Sequence, residues 1–187
     1  EGTSDFLRLY WWSQEMTTDE AVVQAGWNDP GIHFFHSMTW SPDNVILLGI
    51  YYRCFYQITV ANEFIRQSAP SKLGDRGITG QNATTIAEYA QEARFLRAFQ
   101  YAVLMDLFGN VPFVTEANVP GAGLPRQITR GDLFEYVELE LLALETSLKG
   151  ARQNEYGRAD QAAAQALLAR IYLNAEVYTG NPRWNDA

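Results

Sequence analysis

The stretch EARFLRAFQYAVLMDLFGNVPF, Glu92 to Phe113, decides how this chain is built. Its spacing reads as a long helix, and from Phe95 to Phe108 it is apolar on almost every side rather than along one stripe. A helix that is hydrophobic all round has to be covered on several faces. Upstream, Thr85 and Glu88 have the Thr-x-x-Glu spacing of a capping box and set the expected start. Gly109, with Pro112 beyond it, is the expected stop. Arg94 and Arg97 lie on one face just before the apolar run. An anion site is one reading of that pair. Ion pairs with carboxylates of a neighbouring helix are the favoured one, because the planar guanidinium fork matches a carboxylate.

Four more helices follow from the same kind of reading. A short one, roughly Ser4 to Gln14, places Phe6, Leu9, Tyr10 and Ser13 on one side. The next begins after Ser41-Pro42-Asp43 and runs to about Gln67, before Pro70. Its stripe is Tyr51, Phe55, Ile58, Asn62 and Ile65, so Asn62 is a polar group on an apolar face and is expected to bond to neighbouring backbone. Thr129 and Asp132 open another helix, with Leu133, Val137, Leu141, Leu144 and Leu148 as its buried face and Gly150 as its end. The last, about Ala159 to Tyr178, carries Ala159, Ala162, Ala163, Ala166 and Ala169, a seam that lets a second helix come close, toward the short end of the ~8–10 Å packing range. The expected fold is all-α, with tetratricopeptide-like antiparallel helical repeats and long irregular loops. The two longest loops, Thr17 to Asp43 and Gly109 to Gln127, are longer than a compact helical domain needs, and such loops often carry function.

Composition narrows the functional classes. The chain has 187 residues, 47% of them hydrophobic and 19% charged, which is a globular composition with one sizeable core. Its net charge is -8 and its only lysines are Lys72 and Lys149. Nucleic acid is therefore not expected as a partner, because phosphate binding needs clustered cations. Cys54, alone in an apolar run, reads as a small buried hydrophobe. The chain opens on Glu1 and stops just past a helix stop, so residues 1–187 are read as a single helical region of a longer protein.

Catalytic signals are sparse. There is no Walker loop, GxSxG elbow, HExxH or cysteine cluster. His33 and His36 could share a metal with Asp29 or Asp43, but packing and backbone bonding in an ordered loop is the better reading. Asp19, Glu20 and Asp29 could be offered as a glycosidase pair, yet that chemistry needs two carboxyls at a fixed gap of roughly 5–10 Å across a cleft, which sequence adjacency does not supply. No catalytic residue, cofactor or metal is assigned, and an enzyme is not expected. The aromatic residues say more. In AGWNDPGIHFF, Trp27 offers a flat ring, Asn28 and Asp29 offer hydrogen-bonding groups, and Gly26 and Gly31 give turn freedom. Flat rings stack on the C–H faces of sugars while polar side chains bond the hydroxyls. For Trp27 this reading and a core role stand level; Trp11, Trp12 and Trp40 are expected to roof the core.

Together these segments resemble the SusD/RagB family. EARFLRAFQYAVLMDLFGNVPFVTEA resembles its signature helix, and GRADQAAAQALLARIYLNAEVYTG its later helix. The stretch Tyr56 to Asn62 is similar to the family's Ile-x-x-Ala-Asn helix, and TTDEAVVQAGWNDPGIHFFHSMTW to the loop before it. The resemblance implies an outer-membrane lipoprotein on the extracellular face that captures oligosaccharides for import through a SusC-like TonB-dependent transporter, without bond cleavage. Its lipid anchor would lie outside this chain, since Cys54 sits in mid-helix. Trp27, Asn28 and Asp29 fall where some members contact sugar. Two alternatives remain: peptide capture within the same family, and an intracellular tetratricopeptide-like scaffold.

Overall fold

The computed structural model describes residues 5–29, 31–118, 121 and 123–187. The expected helix start at Ser4, Pro30 of the aromatic loop, and Val119, Pro120 and Ala122 of the glycine- and proline-rich loop lie outside the described residues. The chain divides into two compact units, Glu1–Tyr56 and Gln57–Ala187.

In the first unit, helix α1 (Phe6–Glu15) is capped by Asp5, whose Oδ1 accepts from the Leu7 amide at 3.1 Å. It buries Leu9, Trp12 and Ser13. A single turn, α2 (His33–His36), buries Phe35, and α3 (Val45–Gln67) follows, its residues from Gln57 onward belonging to the second unit. The cap of α3 is Asn44 rather than Asp43: Asn44 Oδ1 accepts from the Ile46 amide at 3.0 Å, and its Nδ2 donates to the Gly31 carbonyl at 3.0 Å. Gly31 has φ +84°, and a Cβ there would lie 2.7 Å from Asn44 Nδ2, so this contact requires glycine. The buried positions of α3 step by four through Ile46, Ile50, Cys54, Ile58 and Asn62, with Tyr51, Phe55 and Ile65 half-buried beside them. Burial raises the Cys54 thiol pKa to about 12, which keeps it unreactive. The roofing role expected of Trp11 and Trp40 is corrected: both are exposed, at 50% and 43%, and only Trp12 is buried. The α1 face that turns inward carries Leu9, Trp12 and Ser13, which leaves the adjacent Trp11 outside.

The second unit contains α4 (Pro70–Asp75), α5 (Gly80–Phe108), the two-residue strands β1 (Val111–Pro112) and β2 (Gln127–Ile128), α6 (Arg130–Ser147), α7 (Gln161–Leu173), α8 (Ala175–Thr179) and a 3-10 turn at Trp184–Asp186. The strands pair antiparallel, Val111 with Ile128 and Pro112 with Gln127. Helix α5 starts five residues before the expected Thr85. Thr79 is its cap position; Glu88 pairs with Lys149 Nζ at 3.2 Å instead of folding back on Thr85, so no capping box forms. Its end at Gly109, with φ +71°, is as expected.

Paired residues show how the helices run. Arg130 at the start of α6 bonds the Met105 and Asp106 carbonyls at the end of α5, Glu140 meets Arg94, and Ser147 reaches Gln91. Helix α6 therefore returns antiparallel along α5. Tyr172 bonds Glu138 and Gln161 bonds the Leu148 carbonyl, so α7 returns along α6 in turn. This is the antiparallel all-α succession expected from the sequence. Thr129 caps α6 as expected, its Oγ1 accepting from the Asp132 amide at 3.1 Å. The expected helix from Ala159 to Tyr178 is instead two helices, broken at Asn174 and capped at its start by Asp160, which leaves Ala159 outside. Its packed face is Ala164, Leu167, Leu168 and Ile171, while Ala162 and Ala166 are exposed. Of the expected alanine seam, Ala163 and Ala169 are half-buried, so the inner face is made mainly by leucine and isoleucine.

The all-round apolarity of α5 is matched by cover on every side toward its C-terminal end. Every residue from Gln100 to Met105 is buried. Tyr101 is fully enclosed, with Phe113 and Tyr136 around its ring, and its hydroxyl donates to the Val114 carbonyl at 2.8 Å and accepts from the Val114 amide at 2.9 Å. Tyr101→Phe should cost about 1–3 kcal/mol in urea unfolding, because the Val114 amide loses its partner and the Val114 carbonyl keeps only Asn62. An unchanged midpoint would mean that water replaces the hydroxyl.

Candidate functional site

The aromatic loop of the first unit holds the three residues expected to contact ligand. Trp27 is 51% exposed. Its indole Nε1 donates to Asp29 Oδ2 at 3.0 Å, and its carbonyl accepts from His33 Nε2 at 2.9 Å. The core reading of Trp27 thus gives way to a half-exposed ring tied at its edge, with its N–H satisfied inside the loop. One Asp29 oxygen serves that ring; Asn28 is exposed. His33 is engaged with backbone, in keeping with its packing role. Trp40 stacks on buried Phe35 with ring centroids 5.7 Å apart.

Sequence reading missed Arg8 in the same unit. Its guanidinium lies over the Trp12 ring at 4.6 Å, and its Nε and Nη2 are buried with no hydrogen-bond partner among the described residues. The i, i+4 spacing of Arg8 and Trp12 is a signal that could have found it.

The second unit contains a cleft of about 530 Å3, lined by Thr59, Asn62, Arg66, Val114, Asn118 and Arg126 among others. Behind it, a polar network joins α3, α5, α6 and the segment after β1. Asn62 Nδ2 donates to the Val114 carbonyl at 3.1 Å, which fulfils its expected backbone bond. Arg97, 2% exposed, donates to Asn62 Oδ1 at 2.8 Å, to Glu116 and, at 3.2 Å, to Glu140 Oε2. Arg94 joins the same carboxylate through two bonds, at 3.2 and 2.9 Å. Both arginines thus pair with Glu140 on the neighbouring helix, as expected. Burial on its own would raise the Glu116 pKa, but the Arg97 hydrogen bond, a backbone bond and the two nearby positive charges bring it below the usual carboxylate value. Among the described residues, no helix is long and apolar enough to cross a membrane.

The helical fold has counterparts among solved structures. A laminarin-binding SusD-like protein superposes with a TM-score of 0.71 at 24% identity, over 90% of this chain and 35% of that one, and shows the shared fold. Surface glycan-binding protein A from Bacteroides uniformis superposes with a TM-score of 0.69 at 25% identity, over 90% of this chain and 37% of that one. The starch-binding protein SusD of Bacteroides thetaiotaomicron is 37% identical across all 187 residues. This chain spans 31% of that relative's length. The profile of a SusD-like family, described as starch-binding and associating with the outer membrane, matches residues 10–173. The chain belongs to this SusD-like family.

Proposed function

We propose that residues 1–187 form one helical region of a longer surface protein that captures oligosaccharides for import. The observation that carries this reading is the Trp27 ring, half-exposed and held at its edge by Asp29. A ring fixed in this way loses little freedom when a sugar stacks on it. Asn28 and the remaining lone pairs of Asp29 supply polar groups for hydroxyls. The relatives that bind starch and surface glycans support the ligand class. By the same family reasoning, the protein sits on the extracellular face of the outer membrane through a lipid anchor outside this chain. It delivers its ligand to a SusC-like TonB-dependent transporter and breaks no bond.

Affinity should be modest, with dissociation constants of about 10 μM to 1 mM, equivalent to ~4–7 kcal/mol. That suffices where retention comes from closure against a transporter. Calorimetry of the full-length protein against starch, laminarin and other neutral oligosaccharides, with a peptide panel alongside, tests the reading. Binding to at least one glycan is expected. Tight peptide binding with no glycan bound would move the protein to the peptide-capturing branch of the family.

A further inference from the structure

The cleft in the second unit has a different chemistry from the aromatic loop. We infer that it is a second carbohydrate site, selective for oligosaccharides that bear a carboxylate, as uronic acids do. The inference rests on the carbohydrate-binding reading above and adds a ligand class that ring stacking does not select.

Size comes first. A volume of about 530 Å3 lies within the range of small-molecule sites and suits a short oligosaccharide. Among the described residues, none that lines it is aromatic, so they offer no platform for a neutral sugar. It has two guanidinium groups instead, Arg66 and Arg126, against one carboxylate, Glu63. In a protein of net charge -8, this is a local excess of positive charge.

The two arginines are used differently. Arg66 is committed to the walls: its Nε donates to the Glu116 carbonyl at 3.0 Å, its Nη2 to the Asn118 carbonyl at 3.1 Å, and its Nη1 to Glu63. Arg126 is not committed. Its guanidinium has no ion pair or hydrogen bond among the described residues, whereas Arg94, Arg97, Arg158 and Arg183 each pair with a carboxylate. Its backbone is nevertheless fixed, because its carbonyl accepts from the Phe113 amide at 2.9 Å beside the β1–β2 ladder. A free guanidinium on a fixed backbone at a cleft wall is suited to bidentate pairing with a carboxylate.

The lining around Asn118 is also braced. Asn118 Oδ1 accepts from the Thr115 amide at 2.8 Å, and the Asn118 amide donates to the Thr115 carbonyl at 3.1 Å. This turn, tied to α3 through Arg66, leaves the Asn118 side-chain amide to meet ligand hydroxyls. Binding there would not require the wall to form at the same time, which spares ordering entropy.

The test is calorimetry on the full-length protein with three probes: tri-galacturonate, a neutral oligosaccharide that binds in the panel above, and an acetylated triglutamate peptide. Tri-galacturonate should bind, and more weakly as NaCl rises from about 50 to about 500 mM. Arg126→Ala should lower its affinity about tenfold or more and leave neutral-sugar binding unchanged. Trp27→Ala should do the reverse. The inference is overturned if tri-galacturonate does not bind, if Arg126→Ala leaves its affinity unchanged, or if Trp27→Ala abolishes it. It is also overturned if the peptide binds as tightly as tri-galacturonate, which would make the cleft a peptide site. Loss of neutral-sugar binding alone would count against the aromatic-loop reading and leave this one standing.

Discussion

Arg97→Ala should lower the unfolding free energy by about 3–5 kcal/mol, among the largest effects of any single substitution in this chain. Arg97 is buried and serves three acceptors on three different segments: Asn62 of α3, Glu116 after β1 and Glu140 of α6. Removing it leaves Glu140, itself largely enclosed, with Arg94 as its remaining cation, and cuts Glu116 loose from α5. The cost is mainly that of stranded partners rather than of the attraction itself. Chemical denaturation of wild type and variant measures it. The same substitution should change the response to acid. The Glu116 pKa lies below its ordinary value, so this group's contribution is fully present above the unfolded value of about 4.3 and fades as pH falls through the lower folded value. The wild type should therefore lose stability below about pH 5 more steeply than Arg97→Ala. Parallel acid profiles would show that Glu116 owes little to Arg97.

Trp27→Ala should weaken binding of a neutral oligosaccharide at least tenfold while leaving the thermal midpoint nearly unchanged. Loss of a stacked ring on an exposed loop removes contact area and preorganisation together; a tenfold loss is about 1.4 kcal/mol. Stability should be spared because the ring is half-exposed and its tether to Asp29 is local. Asp29→Ala is the informative companion. It frees the indole N–H and unpins the ring, so a several-fold loss of affinity is expected even where Asp29 touches no sugar. A collapse of thermal stability in Trp27→Ala, with no separate effect on binding, would assign the tryptophan to the core.

The long apolar helix, its glycine stop and the need of its two arginines for carboxylates on a neighbouring helix were legible in the sequence, because each depends on local spacing or on one chemical preference. Helix α5 could announce that it needed covers on all sides, and Arg94 and Arg97 that they needed carboxylates. What spacing alone does not carry is tertiary competition. Glu88 had two possible partners, Thr85 in its own helix or Lys149 across the fold, and the second won. The alanines of α7 matched a close-packing seam, but the leucines one position away had more area to bury and took the inner face. Trp40 and Trp11 looked like core from composition, though only a helix register known to within one residue could separate Trp11 from Trp12. At the candidate site, Trp27 and Asp29 lie two residues apart, so their hydrogen bond was within reach of a local argument. The cleft was not, since Arg66, Asn118 and Arg126 meet only after residues 57–126 have folded back on themselves.

The central claim is that a braced helical frame presents rings and polar groups to a sugar and does nothing else to it. The direct measurement is to titrate the full-length protein with an oligosaccharide and analyse the same sample for products after prolonged incubation. Saturable binding with the sugar recovered at its original length is the predicted result. Newly released reducing ends, or no binding to any carbohydrate tried, would contradict the account.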